Sequence, residues 1–351
     1  MPATDGEPLG ERLARLIGAE GPIPLAQYMA QANVHYYATR DPLGAEGDFV
    51  TAPEVSQMFG ELVGLWLSDI WTRAGKPSNA HYVELGPGRG TLAEDALRAM
   101  RAVRFEPPIH LVETSPALRQ SQAGRLPTAR WHDDIDSLPE TGPLFVIANE
   151  FFDALPIRQI QRGANGWHEV MVDWRDGTFS PVTSGPPLDA LIPEILRDAP
   201  AGSIVETSPA VEIAARALAE RIAKQGGTAL IVDYGYVGPA TGDTLQAVSR
   251  HGYADVFAEP GERDLTAHVD FTALGRIAKK AGLVVHRPIG QGELLESLGI
   301  GARTAALVRA APHRQAELVA ARDRLTSDGE MGRLFKATAW LARDWPEPAA
   351  F

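Results

Sequence analysis

The sequence predicts an α/β protein built on a mostly parallel, doubly wound sheet, and three observations carry that prediction. From Asn79 onward short apolar stretches alternate with helical ones: Tyr82 to Leu85 then Thr91 to Val103, and Ile109 to Val112 then Pro116 to Leu126. A glycine-rich turn, Gly86 to Gly90, stands where the first strand passes into its helix. An acidic residue, Glu113, closes the second strand. At 351 residues, 44 % of them hydrophobic, the chain suits one large domain with additions, or two domains.

Ahead of the alternation the expected texture is helical. Leu9, Leu13, Leu16 and Ile17 recur at helical spacing, Pro22 and Pro24 end that helix, and a second helix runs from Leu25 towards Tyr36. Pro42, Gly44 and Gly47 make Thr39 to Val50 a loop. Thr51 and Glu54 have the spacing of a capping box, with Pro53 in the first turn. A long helix is therefore expected to start at this cap and to end at Gly75 and Pro77, with Val55, Phe59, Leu62, Val63, Trp66, Ile70 and Trp71 on its apolar face. Residues 1–77 read as a helical extension and 78–351 as the core. Within the core a third strand falls at Ala129 to His132 and a fourth at Leu144 to Ala148. Ile157 to Gln161 and Glu169 to Trp174 form a hairpin turning at Gly163 to Gly166, followed by an inserted stretch, Ser180 to Pro200. The whole insertion is placed around 157–210. A helix from Ala210 to Lys224, a buried strand Thr228 to Asp233 and a glycine-rich loop Gly235 to Gly242 come next. Helices around Phe271 to Lys280 and Ala302 to Arg324 flank a strand at Leu283 to Val285.

Composition narrows the function. With 33 basic and 45 acidic side chains the formal charge is −12, and no basic stripe offsets it, which argues against nucleic acid and for a cationic substrate. The chain has no cysteine, which excludes disulfides, thiolate metal sites and cysteine nucleophiles. His35 and His110 show no metal-ligand spacing. No apolar run approaches the roughly 18 residues of a membrane helix. Met1 to Gly10 has neither signal-peptide nor transit-peptide character, so a cytoplasmic bacterial protein is expected.

The chemistry concentrates in Val83-Glu84-Leu85-Gly86-Pro87-Gly88-Arg89-Gly90. Glycines at a strand-to-helix turn let the backbone approach a ligand, and the helix start offers unpaired N–H groups. NAD sites use such turns too. Two details favour S-adenosylmethionine: the spacing is G-x-G-x-G, and Glu84 precedes the first glycine. A carboxylate there anchors an amino group and repels a pyrophosphate. Gly86, Pro87, Gly88 and Gly90 would cradle the ligand, Glu113 would take both ribose hydroxyls, and Asp133 or Asp134 would accept from the adenine amino group. The competing reading is that Glu84 and Glu113 only form ion pairs at the sheet edge.

The fourth strand runs into Ala148-Asn149-Glu150-Phe151-Phe152-Asp153-Ala154-Leu155-Pro156. Ligands collect beyond the carboxyl ends of strands in such sheets, so this segment borders the transferred methyl. Glu150 and Asp153 are candidates to grip a guanidinium and take its proton, Asn149 to position it, and Phe151 or Phe152 to stack on it. The bland alternative makes Asn149 and Asp153 caps and the phenylalanines core.

On these motifs the chain resembles the MidA family of complex I assembly methyltransferases. The matching blocks are Gly47-Asp48-Phe49-Val50-Thr51-Ala52-Pro53-Glu54-Val55-Ser56-Gln57-Met58-Phe59-Gly60-Glu61, then Glu84 to Gly90, then Asn149 to Pro156, then Val232-Asp233-Tyr234-Gly235 and Asp264-Leu265-Thr266-Ala267-His268-Val269-Asp270-Phe271. The resemblance implies a Rossmann-like class I methyltransferase core with a helical N-terminal extension and inserted hairpin and helical segments. It also implies S-adenosyl-L-methionine as cofactor. For the mitochondrial relative it implies dimethylation of an arginine in the quinone-module subunit of complex I. Thr51 and Gln57 are expected near the cofactor, with a purely structural cap as the alternative, and His268 and Asp270 near the acceptor. Methylation of a small amine or nucleobase, and a cofactor-binding assembly chaperone, are the competing functions.

Overall fold

The computed structural model describes residues 7–39, 51–249 and 252–351. The expected loop is outside the described residues from position 40 to 50, as are Gly47 to Val50 of the first matching block. In chain order the elements begin with α1 (Leu9–Glu20), β1 (Ile23–Pro24), α2 (Leu25–Thr39), α3 (Ala52–Val55) and α4 (Gln57–Arg73). The alternating region gives β2 (His81–Leu85), α5 (Thr91–Arg101), β3 (Ile109–Val112), α6 (Pro116–Arg125), β4 (Arg130–His132) and β5 (Leu144–Asn149). Then come β6 (Arg158–Gly163), β7 (Gly166–Arg175), β8 (Thr178–Ser184), β9 (Ile204–Thr207), α7 (Pro209–Gln225) and β10 (Gly227–Tyr236). The remainder is β11 (Gln246–Ser249), β12 (Gly252–Ala254), β13 (Asp264–Thr266), β14 (Val269–Asp270), α8 (Phe271–Lys280), β15 (Val284–Val285) and β16 (Ile289–Gly290), followed by α9 (Gln291–Ser297), α10 (Ile300–Ala310), α11 (Gln315–Thr326), α12 (Met331–Leu334) and β17 (Phe335–Leu341).

The main sheet runs β15-β17-β10-β5-β2-β3-β4, with β14 beside β10 and β16 beside β17. Strands β10, β5, β2, β3 and β4 are parallel, and β17 is antiparallel to β10. The chain starts at β2, steps outward through β3 and β4, then returns to β5 on the other side. The order therefore reverses between β2 and β5, and their carboxyl ends flank the crevice where such sheets bind ligands. Leu85 pairs with Ala148, so Gly86, the first residue past β2, comes beside Asn149, the last residue of β5.

Alternating side chains of the buried strands feed two cores. One face carries Tyr82, Phe145 and Leu230 against α4 and α5; the other carries Val83, Val146 and Ile231 against α7 and α8. Helices α4 and α5 approach closely because Gly60 and Gly64 are bare. A Cβ at position 64 would sit 2.3 Å from the Ala96 carbonyl oxygen, and one at position 60 would sit 2.7 Å from the Asp95 Cβ.

Several expectations need correction. The long helix does not start at Thr51, and the capping box is not made. Thr51 gives no side-chain cap, Glu54 takes the Thr91 hydroxyl at 2.6 Å, and Ser56 is extended. Ser56 itself caps α4 by accepting from the Met58 N–H at 3.2 Å. The helix expected over Ala302 to Arg324 is two, parted at Ala311 and Pro312, where proline cannot donate to the helix ladder. The strand β17 was not expected at all. The hairpin is present as β6 and β7, but it belongs to a five-stranded sheet with β8, β9 and β1. Because Ile23 pairs with Val172 and Pro24 with Met171, residues on either side of the expected boundary at 77 share one sheet.

Candidate active site

A cavity of about 560 Å³ opens over the crevice between β2 and β5. Its floor is the glycine turn. Gly86, Gly88 and Gly90 have φ of 61°, 53° and 79°, left-handed values that a side chain makes costly. At Gly86 a Cβ would also meet the Phe151 ring at 3.0 Å. The turn is held by Gly86 N–H to the Val112 carbonyl at 3.0 Å and Gly90 N–H to the Pro87 carbonyl at 2.8 Å. Gly90 lies behind the lining residues as the N-cap of α5.

Glu84 lines this cavity at the end of β2. It is 3 % exposed, accepts from the Tyr82 hydroxyl at 2.6 Å, and burial pushes its carboxyl up to about 8. Glu113 lines the wall at the end of β3, where its carboxylate accepts from the Ser115 N–H at 2.8 Å and from Gln122 Nε2 at 3.3 Å. Burial raises Glu113 too.

At the end of β5 the backbone turns sharply. Glu150 has φ of 50°, unusual for a residue with a side chain, and its N–H reaches the Val232 carbonyl at 2.9 Å. Glu150 and Asn149 both line the cavity. Glu150 Oε1 accepts from Asn149 Nδ2 at 3.2 Å and from the Ala52 N–H at 3.4 Å. Asn149 Oδ1 is buried with no partner among the described residues. Burial pushes Glu150 up to about 7; burial and then Glu150 push Asp153 up to about 8. Asp233 behind them is also raised, by burial and then by Asp153. It accepts from the N–H groups of Phe152 (2.9 Å), Asp153 (3.3 Å) and Tyr234 (2.9 Å), fixing the turn.

Helix α2 forms the opposite wall through Asn33, Val34 and Tyr37, which the sequence reading did not single out. Asn33 Nδ2 donates to the carbonyls of Ala154 (3.0 Å) and Leu265 (2.8 Å), while its Oδ1 accepts from the Leu265 N–H at 3.0 Å. The Tyr37 hydroxyl donates to Asp264 at 2.7 Å. A polar residue on the apolar face of an expected helix was the available signal.

The structure thus brings Thr51, Glu84, Gly86, Pro87, Gly88, Glu113, Asn149 and Glu150 to one cavity. Others lie elsewhere. Asp133, with its side chain 82 % exposed, pairs with Arg119, and Asp134 accepts from the Ser137 N–H at 2.8 Å to close a surface turn. Gln57 turns along α4 to donate to Glu61 at 3.0 Å. Asp153 is buried beneath the cavity wall. Phe151 lines the cavity, whereas Phe152 is core. Asp270 caps α8 by accepting from the N–H groups of Thr272 (2.8 Å) and Ala273 (3.1 Å), and His268 stacks on Tyr234.

A glycine cradle, two buried carboxylates at adjacent strand ends and an unpaired amide oxygen suit a ligand with an amino group, a ribose and a charge to transfer. The comparisons agree. The family model for S-adenosyl-L-methionine-dependent methyltransferases matches residues 62–289. Among curated proteins, the chain is 38 % identical to the Drosophila melanogaster homolog of protein arginine methyltransferase NDUFAF7, mitochondrial, covering 94 % of this chain and 84 % of that protein. It is 39 % identical to the mitochondrial protein arginine methyltransferase NDUFAF7 of Danio rerio, covering 93 % and 85 %. A Burkholderia thailandensis crystal structure, described as a likely methyl transferase bound to S-adenosyl-homocysteine, superposes with a TM-score of 0.84 at 26 % identity, covering 97 % and 93 %. The mitochondrial naming of these relatives overturns the expectation of a cytoplasmic protein. The cofactor is S-adenosylmethionine, and the chain belongs to this family of S-adenosyl-L-methionine-dependent methyltransferases.

Proposed function

We propose that the protein methylates an arginine side chain of a protein substrate, with the quinone-module subunit of respiratory complex I as its partner. The observation that carries this reading is the chemistry of the wall formed by Asn149 and Glu150. It is rich in acceptors: one N–H of the Asn149 amide goes to Glu150, leaving Asn149 Oδ1 and the Glu150 carboxylate for a ligand. Among the described residues no cation is among the groups that shift Glu150 and Asp153. A guanidinium has five donors and no acceptor, so it complements such a wall and supplies the missing positive charge. The curated relatives, named as protein arginine methyltransferases, support the same substrate class.

In this reading Glu84 receives the amino group of the cofactor and Glu113 its ribose, over the turn of Gly86, Pro87, Gly88 and Gly90, with Thr51 at the rim. S-adenosylmethionine supplies, when bound, a methyl carbon on a sulfonium whose bonding pair returns to sulfur as the carbon–nitrogen bond forms. The residues do the rest. Asn149 and Glu150 hold the guanidinium with one nitrogen aimed into the crevice. Glu150, poised near neutrality, takes the proton that this nitrogen sheds, and Asp153 behind it is mainly protonated and adds no competing charge.

Mass spectrometry of complex I subunits from a deletion strain tests the substrate. One arginine of the quinone-module subunit should lose its methyl groups, and an unchanged methylation pattern overturns the assignment. A Glu150→Gln variant should still bind S-adenosylhomocysteine while losing transfer; full transfer removes Glu150 from the mechanism.

A further inference from the structure

We propose that Gln122 is a positioning residue of the cofactor site, locking the glycine turn and the ribose carboxylate into one geometry. Gln122 is fully buried in α6 and is not part of the cavity wall. All its polar atoms are used. Nε2 donates to the Gly88 carbonyl at 2.6 Å and to the Glu113 carboxylate at 3.3 Å, while Oε1 accepts from the Trp131 indole N–H at 2.7 Å. The amide orientation follows from these partners. A flipped amide would set oxygen against two oxygens and nitrogen against an N–H.

Each contact bears on a cofactor element. A trans peptide points its carbonyl and its following N–H in opposite directions, so holding the Gly88 carbonyl towards α6 turns the Arg89 N–H away from α6. The Gln122 stem also backs the turn, since a Cβ at Gly90 would lie 3.6 Å from the Gln122 Cγ. Glu113 is set from two points of α6, by Gln122 and by the Ser115 N–H, and Ser115 caps that helix. Helix α6 thereby carries the strand-end carboxylate and the glycine turn together. An amide is the one uncharged side chain that can donate to two oxygens while accepting from the indole. The charged neighbours are otherwise engaged. Arg119 donates to the Glu113 carbonyl and pairs with Asp133, Arg125 pairs with Glu94, and the His132 ring faces His110.

Calorimetric titration of the full chain with S-adenosylhomocysteine, from about pH 8 to about pH 5.5, tests the proposal. Gln122→Glu keeps the shape but turns a carboxylate onto the Gly88 carbonyl and Glu113, and its affinity relative to wild type should fall about 100-fold at the alkaline end. As the pH drops the new carboxyl gains a proton and can donate again, so that ratio should recover to within about tenfold. Gln122→Met, which cannot donate, should lose affinity by about tenfold or more at every pH. A structural role alone gives no pH-dependent recovery. The proposal is overturned if Gln122→Glu binds within about threefold of wild type at the alkaline end, or if its ratio does not change with pH. Should that variant not fold, Trp131→Phe carries the test. It releases Oε1 while keeping a ring, and should weaken binding about threefold to tenfold; unchanged affinity overturns the proposal. The outcome is independent of which acceptor the enzyme methylates.

Discussion

Glu84 at rest holds a proton that the proposed amino-group contact would displace. Its carboxyl is walled from water and raised to about 8, so at pH 7 it is mainly neutral in the unliganded protein. An ammonium beside it favours the ionised form. Binding of S-adenosylhomocysteine at pH 7 should therefore release about one proton, measured by calorimetry in buffers of different ionisation enthalpy. Glu84→Gln should abolish that release; an undiminished release assigns the proton to another group. The residue was legible in the sequence because it stands two positions before a glycine turn. Its protonation was not, since that depends on the layers packed over both faces of β2. For the same reason Asp133 and Asp134 were legible as acids after the third strand but not as surface residues. Strand β4 ends at His132, and the chain then turns outward.

At the scale of elements, the seam between α4 and α5 sets where the glycine turn sits, because α5 begins at the turn itself. Gly64→Val would drive a branched side chain into the Ala96 backbone, which cannot retreat without moving α5. This variant should lose about 2–4 kcal/mol or more of stability and weaken S-adenosylhomocysteine binding in parallel. Thermal melting and titration check it, and a melt equal to wild type contradicts the seam. Periodicity found α4 but not its true start. Thr51 and Ser56 are both cap residues by type, and the choice of Ser56 follows from Glu54 being drawn off by Thr91, a contact from a helix far along the chain. Strand β17 was not legible because its place between β10 and the short strands β15 and β16 exists only once the sheet has formed.

For the whole molecule, the buried acids set a pH dependence. Glu84, Glu150 and Asp153 are raised in the folded state above their unfolded values, so the folded state favours their protonated forms. The sign follows from that. Their contribution is fully present below about pH 4, the unfolded range, and is lost as pH rises through 7 to 8. Glu84→Gln removes one of these groups. Its melting temperature without ligand, relative to wild type, should climb between about pH 5 and pH 8; a constant or falling difference contradicts the burial of Glu84. The same three acids come from blocks more than sixty residues apart, joined by the strand order that puts β5 beside β2.

By itself the sequence determined the α/β class, the glycine turn, the carboxylates ending two strands and the Asn149-Glu150 exit, because each is a local pattern of residue type and spacing. Tertiary structure alone decided which acids face the cavity and which face water. It also joined β1 to the β6–β9 sheet, laid α2 over the site and buried Gln122 behind it. These depend on contacts between segments distant along the chain, and the energy of such contacts is set by what each group touches after packing.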